Sequence, residues 1–381
     1  MGPLQDYRII EFAGIGPGPF CAMLLADMGA EIIRIDRVTG SAMPIESDPR
    51  LDVSARGRRS LAFDLKHPAA VAAVLKLCRH MDGLIESFRP GVMERLGLGP
   101  DDIRQENPKL VYGRISGWGQ TGPMANVAGH DINYLALSGC LHMLGRGDEK
   151  PAPPLNLVAD MGGGGLLLAF GMACAFLERQ RSGKGQTVDA AMTEGAALLA
   201  TSVYALRGAG WWRDERGANL LDTGAPFYEV YETQDRKYLA VGAIEPQFYA
   251  ALLAGMGVDP DSLPAQMDRA RWPEMKRLFA DVLRKKSRAQ WTAIFAGTDA
   301  CVTPVLSPTE AAEHAHSLAR DAFQDSSGVL HPAPAPRFSR TQPEAPSAPP
   351  PLPGEHTDEL LREFGFPDDE IEGMRAAGAL G

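Results

Sequence analysis

The sequence predicts an α/β fold: a Rossmann-like large domain built on a parallel sheet, joined to a smaller α+β domain. Three observations carry this. Apolar strand-like runs alternate with helical stretches from the first residues to about residue 192. Residues 7–36 read as strand, glycine–proline turn, short helix and strand, one βαβ unit of about 30 residues. After residue 225 the pattern changes to a hairpin followed by helices.

The elements follow in order. YRIIEF (7–12) is a strand, AGIGPGP (13–19) a breaker loop, 20–28 a helix and EIIRID (31–36) a second strand. Runs at 83–88 and 110–116 alternate with helices near 67–81 and 101–106, the signature of a parallel sheet covered by helices. A buried helix over 166–181 stops at RSGKG, where basic residues and glycines end it. The strand TVDAAM (187–192) and a helix near 193–208 come next. PFYEVYETQDRKYLAVGA (226–243) is a hairpin turning at Gln234–Lys237, and helices fill 246–298. The proline-rich stretch 332–353 is an extended connector, ahead of two short helices near 357–364 and 367–377. Expected boundaries are 1–205 for the large domain and 225–310 for the small one. Residues 311–381 are the connector and terminal helices returning to the large domain.

Of 381 residues, 45% are apolar and 23% charged, as in soluble globular proteins. No apolar run approaches the roughly 20 residues of a membrane helix, the longest being 162–178. No export signal and no peroxisomal C-terminal address is read, so a cytoplasmic, non-membrane protein is expected. A net charge of −10 opposes binding to nucleic acid. The five cysteines are widely spaced and read as reduced, buried thiols; no metal motif is present.

The first βαβ invites a dinucleotide reading, with Gly14 and Gly16 in the turn and Asp36 ending the second strand. The third glycine position is Pro19, however. Pro17 and Pro19 also remove N–H donors from the turn that should hold a pyrophosphate. Nearby, Arg34, Arg37, Arg56, Arg58, Arg59 and Lys66 crowd one stretch of an acidic chain. They fit either a ligand with separated phosphates, such as coenzyme A, or a solvated face of surface ion pairs.

Two proton carriers of different type stand at helix starts: His130 in GHDINYL and Asp160 in NLVADMGGGG. Each has a structural reading, a terminal histidine and a helix N-cap. Together they point to proton abstraction beside a carbonyl. Gly162–Gly165 either let a thioester oxygen approach free N–H groups or pack a helix tightly against a strand.

AGIGPGPFCAMLLADMGAEIIRIDR, RGRRSLAFDLKHP, ESFRPGVMERLGLGP, GHDINYLALSG, NLVADMGGG, RSGKGQTVDAAMTEG, GAIEPQFY, GTDACVTPVL and GEHT together resemble the α-methylacyl-CoA racemase branch of the family III CoA-transferases. The likeness runs from residue 4 to about residue 367, and departs from animal members in lacking their peroxisomal address. It implies an interlocked homodimer and an acyl-CoA thioester substrate, with no metal or organic cofactor. Inverting the α-centre of a 2-methylacyl-CoA means taking a proton from one face and returning one to the other. By resemblance His130 and Asp160 are those bases, and Glu245 orients His130. Arg37, Ala62, Phe63, Asp64 and Leu65 contact the CoA thioester, as do Gly129, Asp131, Ile132, Asn133 and Tyr134. Arg89 is a supporting site residue, or else the anchor of Glu86. An acyl tail lies on an adaptable apolar surface for which Met143, Met161 and Met192 are candidates. The alternative of the same fold is a CoA-transferase in which Asp160 is an acyl-accepting nucleophile. A non-catalytic CoA-binding scaffold is the third reading, and retention of both bases argues against it.

Overall fold

The βαβ unit opens the fold. β1 (Arg8–Phe12) and β2 (Glu31–Arg37) pair in parallel, with Ile9 opposite Ile32, in a computed structural model that describes residues 2–39, 48–326, 328–343 and 348–381. β3 (Arg58–Phe63), β4 (Gly83–Glu86), β5 (Val111–Ser116) and β6 (Thr187–Ala191) complete a six-stranded parallel sheet ordered β3-β2-β1-β4-β5-β6. The strand order reverses between β1 and β4. The crevice beyond their carboxyl ends is where open α/β sheets bind ligands.

β3 was not expected. Its residues RRSLAF read as part of a basic cluster, because two arginines open a strand whose other four residues are buried. Burial of Arg58 is compensated: its Nε donates to Glu11 of β1 at 3.0 Å, with both side chains at most 1% exposed. Arg56, just ahead of β3, donates to Asp27 at 2.9 Å. The first helix, Pro17–Asp27, starts earlier than the breaker reading of 13–19 allows. Pro17 sits at its first position, where no intrahelical N–H is needed, and Gly16 precedes it at φ 73°.

Helix Leu157–Ser182 is 26 residues long, so the expected 166–181 is its second part. Its first ten residues, Leu157–Leu166, are wound as a wider π-helix. By length and hydropathy it could cross a membrane, contrary to the sequence reading. One stripe is nonetheless packed on the sheet. A Cβ on Gly113 would lie 2.8 Å from Met172 Sδ and 3.2 Å from Leu168, and one on Gly83 would lie 3.0 Å from Phe176. Two strand glycines thus let this helix settle on β4 and β5. The helix expected near 193–208 is two, Met192–Leu199 and Thr201–Gly208.

The chain divides into two compact units: residues 1–138, 155–199 and 319–381, and residues 139–154 with 200–318. These cuts differ from the expected ones: 139–154 and 200–205 group with the second unit, and the return to the first comes at 319. The second unit contains the expected hairpin, β7 (Tyr228–Glu232) with β8 (Tyr238–Gly242), joined by β9 (Val302–Pro304) in an antiparallel sheet. Helices Pro246–Met256, Trp272–Leu283 and Arg288–Phe295 surround a core of Phe227, Trp272, Phe279 and Trp291.

In the first unit β10 (Phe323–Ser326) and β11 (Val329–Pro332) make a short antiparallel hairpin. The connector follows it; residues 344–347 of that stretch lie outside the described residues. Helices Thr357–Glu363 and Asp368–Ala376 come last, and Leu360, Leu361, Phe364 and Leu380 join the core of the large sheet.

Candidate active site

Asp160 stands at the switch point of the sheet. A methyl group on Gly16, ahead of helix Pro17–Asp27, would lie 3.4 Å from Asp160 Oδ2. The place where a dinucleotide fold seats a pyrophosphate therefore faces the protein's own carboxylate. Asp160 is half-buried, and burial holds its carboxyl above the usual range. The neighbouring Asp131 carboxylate adds to this, while a hydrogen bond from Asn156 and the nearby His130 oppose it.

His130 is exposed and immediately precedes helix Asp131–Leu137. Its backbone N–H donates to Asn133 Oδ1 at 3.1 Å, and the ring does not cap the helix. Tyr134 braces the loop from Gly117 to His130. Its hydroxyl donates to the Gly129 carbonyl, and its ring meets Trp118 edge-on at 4.8 Å. Side chains at Gly117 or Gly129 would collide with that ring. Asp131 joins the two sides: one oxygen accepts the N–H groups of Ala159 at 2.9 Å and Asp160 at 2.7 Å. A weakly acidic carboxyl and an imidazole, rooted in adjoining helix starts, can serve as acid and base on one substrate carbon.

The CoA-transferase family III domain matches residues 4–357. This chain belongs to that family. The family III chain is 52% identical to the mouse alpha-methylacyl-CoA racemase over 97% of its own length and 95% of the relative's. It is 50% identical to the human alpha-methylacyl-CoA racemase, again over 97% and 95%. Succinyl-CoA:glutarate CoA-transferase of mouse is 29% identical over 100% of this chain and 91% of that one. A CAIB/BAIF family protein from Brucella suis has the same fold, with a TM-score of 0.83 at 23% identity over 95% and 99% of the two chains.

The remaining expected residues distribute unevenly over this family III scaffold. Arg37 is exposed at the end of β2, in register with Phe63 of β3. Phe63 is 1% exposed and packs in the core, so its side chain is structural. Ala62 is buried too, with its N–H donated to Thr357 Oγ1 and its carbonyl accepting from Gly381. Asp64 and Leu65 are partly exposed beyond the strand end. Glu86 is held by Arg114 at 2.8 Å and by the Phe88 N–H at 2.7 Å. Arg89 is therefore not its anchor; it is exposed, and its charge reaches Tyr134. Ile132 and Asn133 are exposed on the first turn after His130.

Glu245 lies in the second unit, exposed ahead of helix Pro246–Met256, and its side chain makes no cap bond there. Met192 is buried and would meet a side chain on Gly164 at 2.9 Å, so it is a core residue; Met161 and Met143 are partly exposed. Cys174 and Cys301 are exposed, against the expectation of five buried thiols. Gly163, Gly164 and Gly165 lie against Ala196, Met192 and Pro17, so close packing does occur here, but chiefly against two helices rather than a strand. Asn156 was missed; its spacing of four residues from Asp160, one helical turn, was the available signal.

Proposed function

We propose that this chain is a racemase that inverts the α-centre of 2-methylacyl-CoA thioesters by proton removal and return through an enolate. The observation that carries the reading is the placing of Asp160, a half-buried carboxyl whose proton affinity burial raises, near His130 at the ligand crevice of the sheet. Identity of 50–52% to two curated racemases supports it. In one direction neutral His130 takes the α-proton of the (S)-thioester, leaving an enolate and an imidazolium. Protonated Asp160 then returns a proton to the opposite face, giving the (R)-thioester and a carboxylate. The other direction runs these roles in reverse. A raised carboxyl suits a group that must both give and take a proton near neutrality. The proposal needs no metal or organic cofactor, coenzyme A being part of the substrate.

Arg37, exposed at the end of β2, and Lys66, exposed beyond the end of β3, are proposed to meet CoA phosphates, and Arg89 to support the thioester end. Glu245 is proposed as the carboxylate that orients His130. A homodimer is part of the same proposal. Leu157, Leu166, Phe170 and Leu177 leave an apolar stripe of helix Leu157–Ser182 exposed, and Leu199 lies beside its start at Gly162. A second copy would cover that stripe while the opposite one stays on the sheet.

The test uses deuterated water and each enantiomer of a 2-methylacyl-CoA. His130→Ala and Asp160→Asn should each abolish inversion, a loss above the roughly 10²–10⁴-fold of one acid–base group. Each should still exchange deuterium into the enantiomer facing its surviving base. Equal exchange into both enantiomers by either variant would sink the opposed-base mechanism. Acyl transfer to an added carboxylic acid, lost in Asp160→Asn, would instead identify a CoA-transferase.

A further inference from the structure

The first N–H groups of a helix have no partner inside it and are normally capped by the residue just before. Helix Leu157–Ser182 departs from this. Asn156 precedes it but makes no cap bond with its side chain. The cap comes from Asp131, 28 and 29 residues earlier, through one oxygen shared by Ala159 and Asp160. Asp131 is 4% exposed, and its second oxygen has no hydrogen-bond partner among the described residues. It is also the residue after His130. A single buried side chain thus connects the backbone of one base to that of the other.

We propose that Asp131 is a positioning residue for the racemase reaction: its carboxylate clamps the helix start that carries Asp160 to the helix start that carries His130, and so fixes the spacing of the two bases. The proposal rests on the racemase reading and changes what resemblance implied for Asp131, a substrate contact. A neutral serine or asparagine would cap the helix equally well. A carboxylate buried beside another carboxylate is unfavourable for stability alone. Its second effect is on Asp160, whose proton affinity it raises. The other ionisable groups around Asp160 are His130, which opposes this, and Tyr134; the Gly16 side contributes backbone only.

Two variants test it in the full-length protein. Asp131→Asn keeps an acceptor for the two N–H groups and removes the charge. Asp131→Ala removes both. Amide exchange over 157–161, followed by mass spectrometry, should rise in the alanine variant and stay near wild type in the asparagine variant. In turnover, the alanine variant should lose about 10–100-fold in kcat in both directions, with KM within about threefold. The asparagine variant should keep more activity. Its acid limb for deuterium exchange into the (R)-thioester, where Asp160 must be ionised, should move to lower pH. A raised KM with unchanged kcat would overturn the proposal and restore a substrate contact. Unchanged exchange in the alanine variant, or an unmoved acid limb in the asparagine variant, would overturn it as well. The exchange measurement needs no turnover: lost protection in a protein whose wild type epimerises nothing would sink the racemase reading and leave the clamp standing. If the alanine variant does not fold, the acid limb of the asparagine variant decides alone.

Discussion

Seven cations lie between residues 34 and 66, and the structure sorts them by partner, Arg50 with Glu355 at 2.9 Å. Arg34 pairs with Asp36 at 2.8 Å and Arg59 with Glu31, Glu359 and Glu363 at 2.7–2.8 Å. Arg56 and Arg58 are buried against Asp27 and Glu11. Arg37 and Lys66 are exposed with no ion pair among the described residues. Ion pairing accounts for Arg34, Arg50 and Arg59, buried pairs that neither sequence reading foresaw account for Arg56 and Arg58, and only Arg37 and Lys66 are left for the proposed CoA phosphates. Two opposite phenotypes are expected. Arg37→Ala should raise KM for a CoA thioester by about 10–100-fold, the worth of a charge-assisted bond of about 1.5–3 kcal/mol, with kcat nearly unchanged. Arg58→Ala strands Glu11 as a buried charge, and should destabilise the fold by about 3–5 kcal/mol. Steady-state kinetics and urea unfolding check the pair; a stability loss in Arg37→Ala would contradict the division.

At the scale of elements, the glycines around helix Leu157–Ser182 set how closely its neighbours approach. A Cβ on Gly195 would stand 1.8 Å from the Gly163 carbonyl oxygen, a backbone atom that cannot yield. Gly183 ends the same helix at φ 71° with nothing within 4 Å of its Cβ position. Gly195→Ala should therefore destabilise by about 3 kcal/mol or more, through overpacking. Gly183→Ala should cost about 1–2 kcal/mol, through its left-handed backbone alone. The reverse order in chemical denaturation would refute this account. The sequence showed five of the six sheet strands plainly, because their apolar runs are local patterns. It hid β3, whose arginines pair with acids from 28 to 304 residues away. It showed His130 and Asp160 as candidates but not the Asp131 clamp, since no periodicity reports a contact across 28 residues.

At the scale of the molecule, one helix bears both Asp160, a proposed base, and the exposed apolar stripe. Asp160 lies in its first turn; Phe170, 67% exposed, and Leu177 lie further along. A homodimer covering this stripe should sediment as a dimer even at nanomolar concentration. Phe170→Glu should shift it to monomers and lower turnover, because the helix that seats Asp160 loses its cover. A wild type that sediments as an active monomer would remove the homodimer from the proposal.

The tail on β3 sets an order in time. The Thr357 hydroxyl, 295 residues beyond its partner, accepts the Ala62 N–H, and the Asp64 N–H donates to Ala379. The outer edge of the sheet is thus finished by residues made about 295 positions later. At roughly 5–20 residues per second, β3 waits on the order of 15–60 s with its edge uncovered. An open strand edge is a template for pairing with another chain. Synthesis of this protein therefore contains a window in which a nascent sheet is complete except for its seal, and chaperone demand should peak there.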